Sequence, residues 1–255
     1  MSSIAETIAK FHPISLSEMD SVALMNRTDT KYQVSLENVE KALEDLKDHY
    51  QVLEIAGSRM FQYKTIYFDT EDKHLLNEHL RGKLNRTKVR AREYVGSSTR
   101  FFELKLKTNK GLTKKSRIAK QDDLRTIMPD EAAFLSSSSS LNANKLVPAI
   151  EILFHRITLV STVFKERITI DTGLSFSMNG EKKTVEHLGV VEVKRDSESE
   201  PHTPILSTLK KLSVYPDSMS KYCLGMVLLD KTKRYNNYKP KLLKLNKLSP
   251  NGNIW

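Results

Sequence analysis

Between Arg86 and Lys120, charged residues fall at every second position in two short runs. Lys88, Arg90 and Arg92 continue to Tyr94, and Glu103 continues to Lys105 and Lys107. A period of two is the strand period, so each run points to one face of a β-sheet, with Leu104 and Leu106 on the reverse of the second. Cations crowded on one face repel one another unless water or an anion screens them. The segment holds twelve Lys and Arg against two acids, Glu93 and Glu103, a local +10 equal to the net charge of the 255-residue chain. Residues 230–247 add +6, so the remainder sums to −6. The excess therefore sits in one strand block and one tail. That distribution predicts an anionic ligand at a defined site rather than a broadly basic nucleic-acid coat.

Element signals alternate along the chain. Ser15-Leu-Ser-Glu18 has capping-box spacing and predicts a helix over 16–25, and Ser35 predicts a cap for a helix over 36–49. Strands are predicted for 27–34, 60–69, 86–95, 100–107, 113–120, 148–162, 164–171 and 189–195. Thr70 is placed to cap a short helix through Leu80, and helices are predicted over 122–135, 203–213 and 218–229. The five serines at 136–140 read as a mobile surface loop, and residues 231–255 as a basic, partly disordered tail. No Pro/Gly-rich linker divides the chain, so residues 1–230 read as one α+β domain. Cys223 is the sole cysteine, which excludes an internal disulfide and a Cys-based metal site. The N-terminus has no signal-peptide pattern and no apolar run approaches the ~20 residues of a membrane span, so the expectation is a soluble, cytoplasmic chain.

Basic residues recur on strand after strand: Arg27 and Lys31, Arg90 and Arg92, Lys105, Lys115 and Arg117, Arg156, Arg167, and Lys194. One basic strand face is ordinarily just solvated. Recurrence over six strands with apolar reverse faces predicts an eight-stranded antiparallel β-barrel, polar inside and with helices packed outside. Lys110, Lys114 and Lys120 fall near turns or on the other face and are expected to be solvated. Glu103 and Lys105 share a face, as do Glu192 and Lys194. A glutamate among cations has a lowered pKa and is a poor general base, but its oxygens suit Mg²⁺ or Mn²⁺. Many cations with one or two carboxylates is the inventory of phosphoryl transfer. Asp29 could equally pair with Arg27 or Lys31, and Glu103 with Lys105. The P-loop, dinucleotide and kinase motifs are absent. Aromatics on the basic faces are sparse, which argues against single-stranded nucleic-acid binding.

Eight short motifs occur in one order: Arg27-Thr-Asp-Thr-Lys31-Tyr32, Tyr67-Phe-Asp69-Thr, Val89-Arg90-Ala-Arg92-Glu-Tyr94, Phe102-Glu103-Leu-Lys105, Lys115-Ser-Arg117, Glu166-Arg167-Ile-Thr-Ile-Asp171, Val191-Glu192-Val-Lys194 and Ser220-Lys221-Tyr222. The series resembles the VTC domain, the polyphosphate polymerase domain of the vacuolar transporter chaperone family, in its stand-alone bacterial type. That family belongs to the triphosphate tunnel metalloenzymes. The resemblance implies an eight-stranded tunnel barrel in which the ATP γ-phosphate passes to a growing polyphosphate chain. It implies that Arg90, Arg92, Lys105, Lys115 and Lys194 act at the transferred group, and that Arg27, Lys31, Arg156, Arg167, Ser220 and Lys221 bind phosphates. Glu192 would be the ligand of Mn²⁺ or Mg²⁺, with Glu103 and Asp29 as candidates for a second metal.

Two departures from relatives follow. Hydrolytic tunnel enzymes carry ExExK on the first strand, whereas this chain has Arg27-x-Asp29-x-Lys31. The lost first acid favours chain transfer over the alternative, hydrolysis of inorganic, nucleoside or thiamine triphosphate. The third class of reading is a non-catalytic binder of polyanions or RNA. Eukaryotic complexes add sensing and membrane domains. Here a separate membrane protein would have to move the product, with the basic tail as its contact and a peripheral place at the inner face of the membrane.

Overall fold

The computed structural model describes residues 2–21, 27–110, 112–196, 202–230 and 235–249. Its strands are β1 (His12–Ile14), β2 (Arg27–Ser35), β3 (Gln51–Leu53), β4 (Phe61–Asp69), β5 (Arg86–Tyr94), β6 (Thr99–Lys107), β7 (Thr113–Ala119), β8 (Val147–Ser161), β9 (Glu166–Met178), β10 (Glu181–Val185) and β11 (Leu188–Asp196). The helices are α1 (Ser2–Ala9), α2 (Leu16–Ser21), α3 (Leu36–Leu46), α4 (His74–Leu80), α5 (Pro129–Ser138), α6 (Pro204–Lys211), α7 (Lys221–Leu229) and α8 (Lys239–Asn246).

Eight strands form one antiparallel path, β2-β11-β9-β8-β4-β5-β6-β7. The alternation in each strand explains how it is faced. Val89, Ala91, Phe102 and Leu104 turn outward to pack with Leu75 of α4 and Leu135 of α5. Ile168, Ile170, Val191 and Val193 turn outward beneath α1, α3 and α6. The opposite faces of the same strands carry the charged residues, so the apolar material lies between sheet and helices.

The sheet departs from the expected closed barrel. Among the described residues its end strands, β2 and β7, share no backbone ladder, and the side chains of Lys115 and Asp29 approach to 3.7 Å across the gap. The reason is local. Tyr32 already pairs with Val191 on one edge, and Pro216 bridges it on the other, where the Asp217 amide donates to the Lys31 carbonyl at 2.8 Å. The chain entering α7 thus occupies the edge that β7 would need. The β7 edge itself is exposed and carries Lys114, Lys115 and Arg117, charges that disfavour further pairing.

Other expectations shift in detail. The first three of the five serines belong to α5 rather than to a loop. Lys110 and Lys114 are exposed as expected, but Lys120 is buried: its ammonium donates to both Glu131 oxygens, at 2.8 and 2.9 Å, and to the Thr126 carbonyl. Residues 235–249 form a short turn and α8, whose Leu242 and Leu245 join the core with Tyr238. No helix of the described residues is long and apolar enough to cross a membrane.

Candidate active site

Helix α7 fills part of the sheet's concave side, and one glycine sets its depth. A Cβ on Gly225 would stand 2.4 Å from Phe176 and 2.6 Å from Ile150, so only glycine allows this approach. At the helix start, Ser220 accepts from the Cys223 amide as N-cap and from the Lys88 ammonium at 2.8 Å. Tyr222 stacks on Tyr67 with ring centroids 5.0 Å apart, and its hydroxyl donates to Asp69, which also accepts from the first amides of α4. These contacts aim Ser220 and Lys221 into the lumen.

The lumen holds a cavity of about 550 Å³, walled by all eight strands of the path and by the start of α7. Ten cations and three carboxylates line it. Strand register places each carboxylate opposite a cation, and each pair is an ion pair. Glu103 faces Arg90 (2.5 Å), with Arg92 at 3.8 Å; Asp171 faces Arg156 (2.5 and 2.7 Å) and also takes Lys221 (2.5 Å). Glu192 faces Lys31 in close contact, with Lys194 at 3.2 Å. Seven cations are thus in excess.

Like charges also meet in register. Lys105 lies directly opposite Lys88 on one side and Lys115 on the other, a row of three lysines across β5, β6 and β7. Directly opposed like charges destabilise a sheet. Burial and the charges of Lys115, Lys88 and Arg90 pull the Lys105 pKa down to about 8. Burial and the charges of Lys221, Lys105 and Lys194 pull Lys31 down to about 7, against the opposing charge of Asp29. The Arg92 Nε is buried in the same wall with no hydrogen-bond partner among the described residues.

Burial raises the Glu103 carboxyl, but Arg90 and Arg92 outweigh it and hold the pKa below the ordinary range. Asp171 is likewise lifted by burial and brought lower still by Arg156 and Lys221. Tyr67 is raised by burial and lowered by Arg90, Lys88 and Arg92, to about 8.

Of the residues singled out from the sequence, Arg90, Arg92, Lys105, Lys115, Lys194, Lys31, Arg156, Ser220, Lys221, Glu192 and Glu103 meet around this cavity. Asp29 stands at its edge, against Lys115. Arg167 does not line it. It lies on the lumen face one register step beyond Thr169, where its guanidinium donates to the Met19 carbonyl at 3.5 Å and Val160 packs on Met19 and Leu53. The Arg27 side chain lies outside the described residues. Among the described residues Glu103 pairs with Arg90 and not with Lys105, and Asp29 stands 3.7 Å from Lys115. The roles assigned from the sequence left out Asp171, Tyr67, Lys88 and Arg117, all in the wall, although Lys88 and Arg117 were already placed on basic strand faces. Their signal was present: Lys88 shares a face with Arg90, Arg117 with Lys115, and Asp171 with Arg167.

No group of three or more His, Cys, Asp and Glu that could cage a metal occurs among the described residues. The donor set instead fits a hard cation that brings its own phosphate ligands, since Mg²⁺ is commonly held by one or two carboxylates plus substrate phosphates. Glu192 faces the cavity with both oxygens on ammonium groups that such an ion could displace.

No curated protein matches this chain. Among solved structures, one of Bacillus halodurans named a "putative adenylate cyclase" is 16% identical, with a TM-score of 0.47 over 77% of this chain and 96% of that one. One of Hippeastrum, named a "putative adenylyl cyclase" with a dominant triphosphatase activity, is 13% identical, with a TM-score of 0.47 over 83% and 99%. A protein of Pyrococcus horikoshii OT3 is 12% identical, with a TM-score of 0.44 over 79% and 98%. The family model of the VTC domain matches residues 26–230, most of the chain and every element that walls the cavity, and the chain belongs to that family.

Proposed function

We propose that this chain is an ATP-dependent polyphosphate polymerase, which passes the γ-phosphoryl group of ATP to the terminal phosphate of a growing polyphosphate chain. The observation that carries the reading is the opposed row Lys88, Lys105 and Lys115 inside a lumen already in cationic excess. Such a row is unfavourable alone and favourable around a linear polyanion.

The reaction forms one bond, from a terminal acceptor oxygen to the γ-phosphorus. It breaks one, from that phosphorus to the β–γ bridging oxygen, whose electron pair leaves with ADP. The acceptor oxygen is already anionic, so no proton has to be removed. That suits a lumen whose carboxylates are engaged by cations, two of them with lowered pKa. The residues here hold donor and acceptor in line and neutralise charge on the equatorial oxygens. Arg90, Arg92, Lys105, Lys115 and Lys194 surround the transferred group in this reading, and Lys31, Arg156, Ser220 and Lys221 hold the flanking phosphates. Mn²⁺ or Mg²⁺ held by Glu192 and phosphate oxygens would supply further neutralisation at that group.

The test is incubation of the pure protein with ATP, Mn²⁺ and a short polyphosphate primer. The expected products are long polymer and ADP, with little polymer from the Arg90→Ala/Arg92→Ala variant. Equal polymer from that variant would sink the site assignment. Orthophosphate release without chain growth would select triphosphate hydrolysis instead.

A further inference from the structure

Beyond the lysine row the lumen opens into a second space of about 480 Å³, which shares Lys31, Lys88, Lys105 and Lys115 with the first. Its outer wall is built by Arg86 and Lys107, directly opposite each other at the ends of β5 and β6, and by Tyr238 and Lys241 of the C-terminal segment. That segment lies beyond the part of the chain matched to the family. Lys241 donates to the Ser218 carbonyl at 2.6 Å, and Lys244 pairs with Asp217 at 2.8 Å, so α8 is fastened to the segment that leads into α7. Arg86, Lys107 and Lys241 have no carboxylate partner among the described residues. The Tyr238 hydroxyl is buried in the same wall with no hydrogen-bond partner among the described residues.

We propose that this mouth is a second phosphate subsite, one that grips the part of a linear polyphosphate chain extending out of the tunnel. The proposal rests on the tunnel being a polyphosphate site. Three features select a chain over a nucleoside or a single triphosphate. The mouth continues the cavity without a break in the lysine lining. Apart from Asp29 and Glu192, which stand against Lys115 and Lys31, its charged groups are donors, matching phosphate oxygens. The Tyr238 ring is covered by its own neighbour, with the Lys241 ammonium 5.7 Å from the ring centroid, so it offers no free face for stacking a base. The orphaned hydroxyl then finds an acceptor in a phosphate oxygen.

The experiment is calorimetric titration of tripolyphosphate, ATP and long-chain polyphosphate into the full chain and into Lys107→Ala/Lys241→Ala. Long-chain affinity should fall about tenfold and its log–log salt slope by roughly two, while the tripolyphosphate and ATP constants move less than about twofold. Their retention also reports that the variant is folded. Arg86→Ala, on the opposite wall, should reproduce the length-selective loss. Unchanged long-chain affinity overturns the proposal, as does an equal loss for tripolyphosphate or ATP. Wild-type protein that binds no polyphosphate of either length would instead overturn the tunnel reading and the mouth with it.

Discussion

Replacing Asp171 by Asn should weaken the empty protein and strengthen its grip on triphosphate. Asp171 is buried, takes two guanidinium bonds from Arg156 at 2.5 and 2.7 Å, and takes the Lys221 ammonium at 2.5 Å. Asn keeps the shape and one acceptor but removes the only carboxylate these cations contact among the described residues. Breaking a buried pair costs about 3–5 kcal/mol. The lower end applies here because Lys221 can shed its proton, its pKa being already lowered by burial. At about 2–4 °C per kcal/mol for a chain of this size, the loss in Tm is roughly 6–12 °C. A triphosphate in the lumen supplies the missing negative charge, so at saturation about half of the deficit should disappear. By linkage, a recovery of about 1.4 kcal/mol means roughly tenfold tighter binding. Thermal melts with and without tripolyphosphate, together with calorimetry, read both quantities. Unchanged Tm in the empty variant, or weaker triphosphate binding, would refute the reasoning that Asp171 is a counter-ion standing in for ligand charge.

Three further outcomes are expected. Triphosphate affinity should fall as pH rises from 7 to 9, because Lys31 and Lys105, at about 7 and 8, lose their charge; affinity flat across that range would contradict it. Stability of the empty protein should move the other way. The folded pKa of Lys105 lies below its ordinary value, so between about pH 8 and 10.5 the unfolded chain binds more protons and folding stability rises with pH, as urea melts would show. Lys120→Ala strands a buried Glu131 carboxylate and should cost about 3–5 kcal/mol in denaturant melts. It should leave the tripolyphosphate constant of the remaining folded protein unchanged, since Lys120 lies outside the cavity wall.

How much the sequence disclosed depended on the range of the interaction. The charged faces of β5 and β6 were legible because alternation is local: Arg90, Arg92 and Lys105 each declare their side within a few residues. The same rule carried Arg156, Glu192 and Lys194 into the lumen. Register is not local. Glu103 meets Arg90 because the hairpin pairs those two positions, and nothing in the Glu103-x-Lys105 spacing reveals it. Arg167 shows the same limit from the other side. It sits on the correct face but too far along β9, at a level where Met19 and Val160 close the space. Closure was overestimated because the segment at Pro216 and Asp217, without strand character of its own, caps the edge of β2. Lys120 sits at the end of a basic strand and reads as solvated until α5 brings Glu131 to it. The C-terminal segment gave only weak periodicity. Its order comes from Tyr238, Leu242 and Leu245 docking on a core built by α7.

The central claim is that the lumen binds a phosphate chain through its walls. A crystal structure of the protein with tripolyphosphate tests it most directly. The predicted result is a row of phosphates inside the sheet, within hydrogen-bond distance of Arg90, Arg156 and Lys221 and extending toward the Lys88–Lys105–Lys115 row. Phosphate density confined to the outer surface, with the lumen cations still closed on Glu103, Asp171 and Glu192, would contradict it.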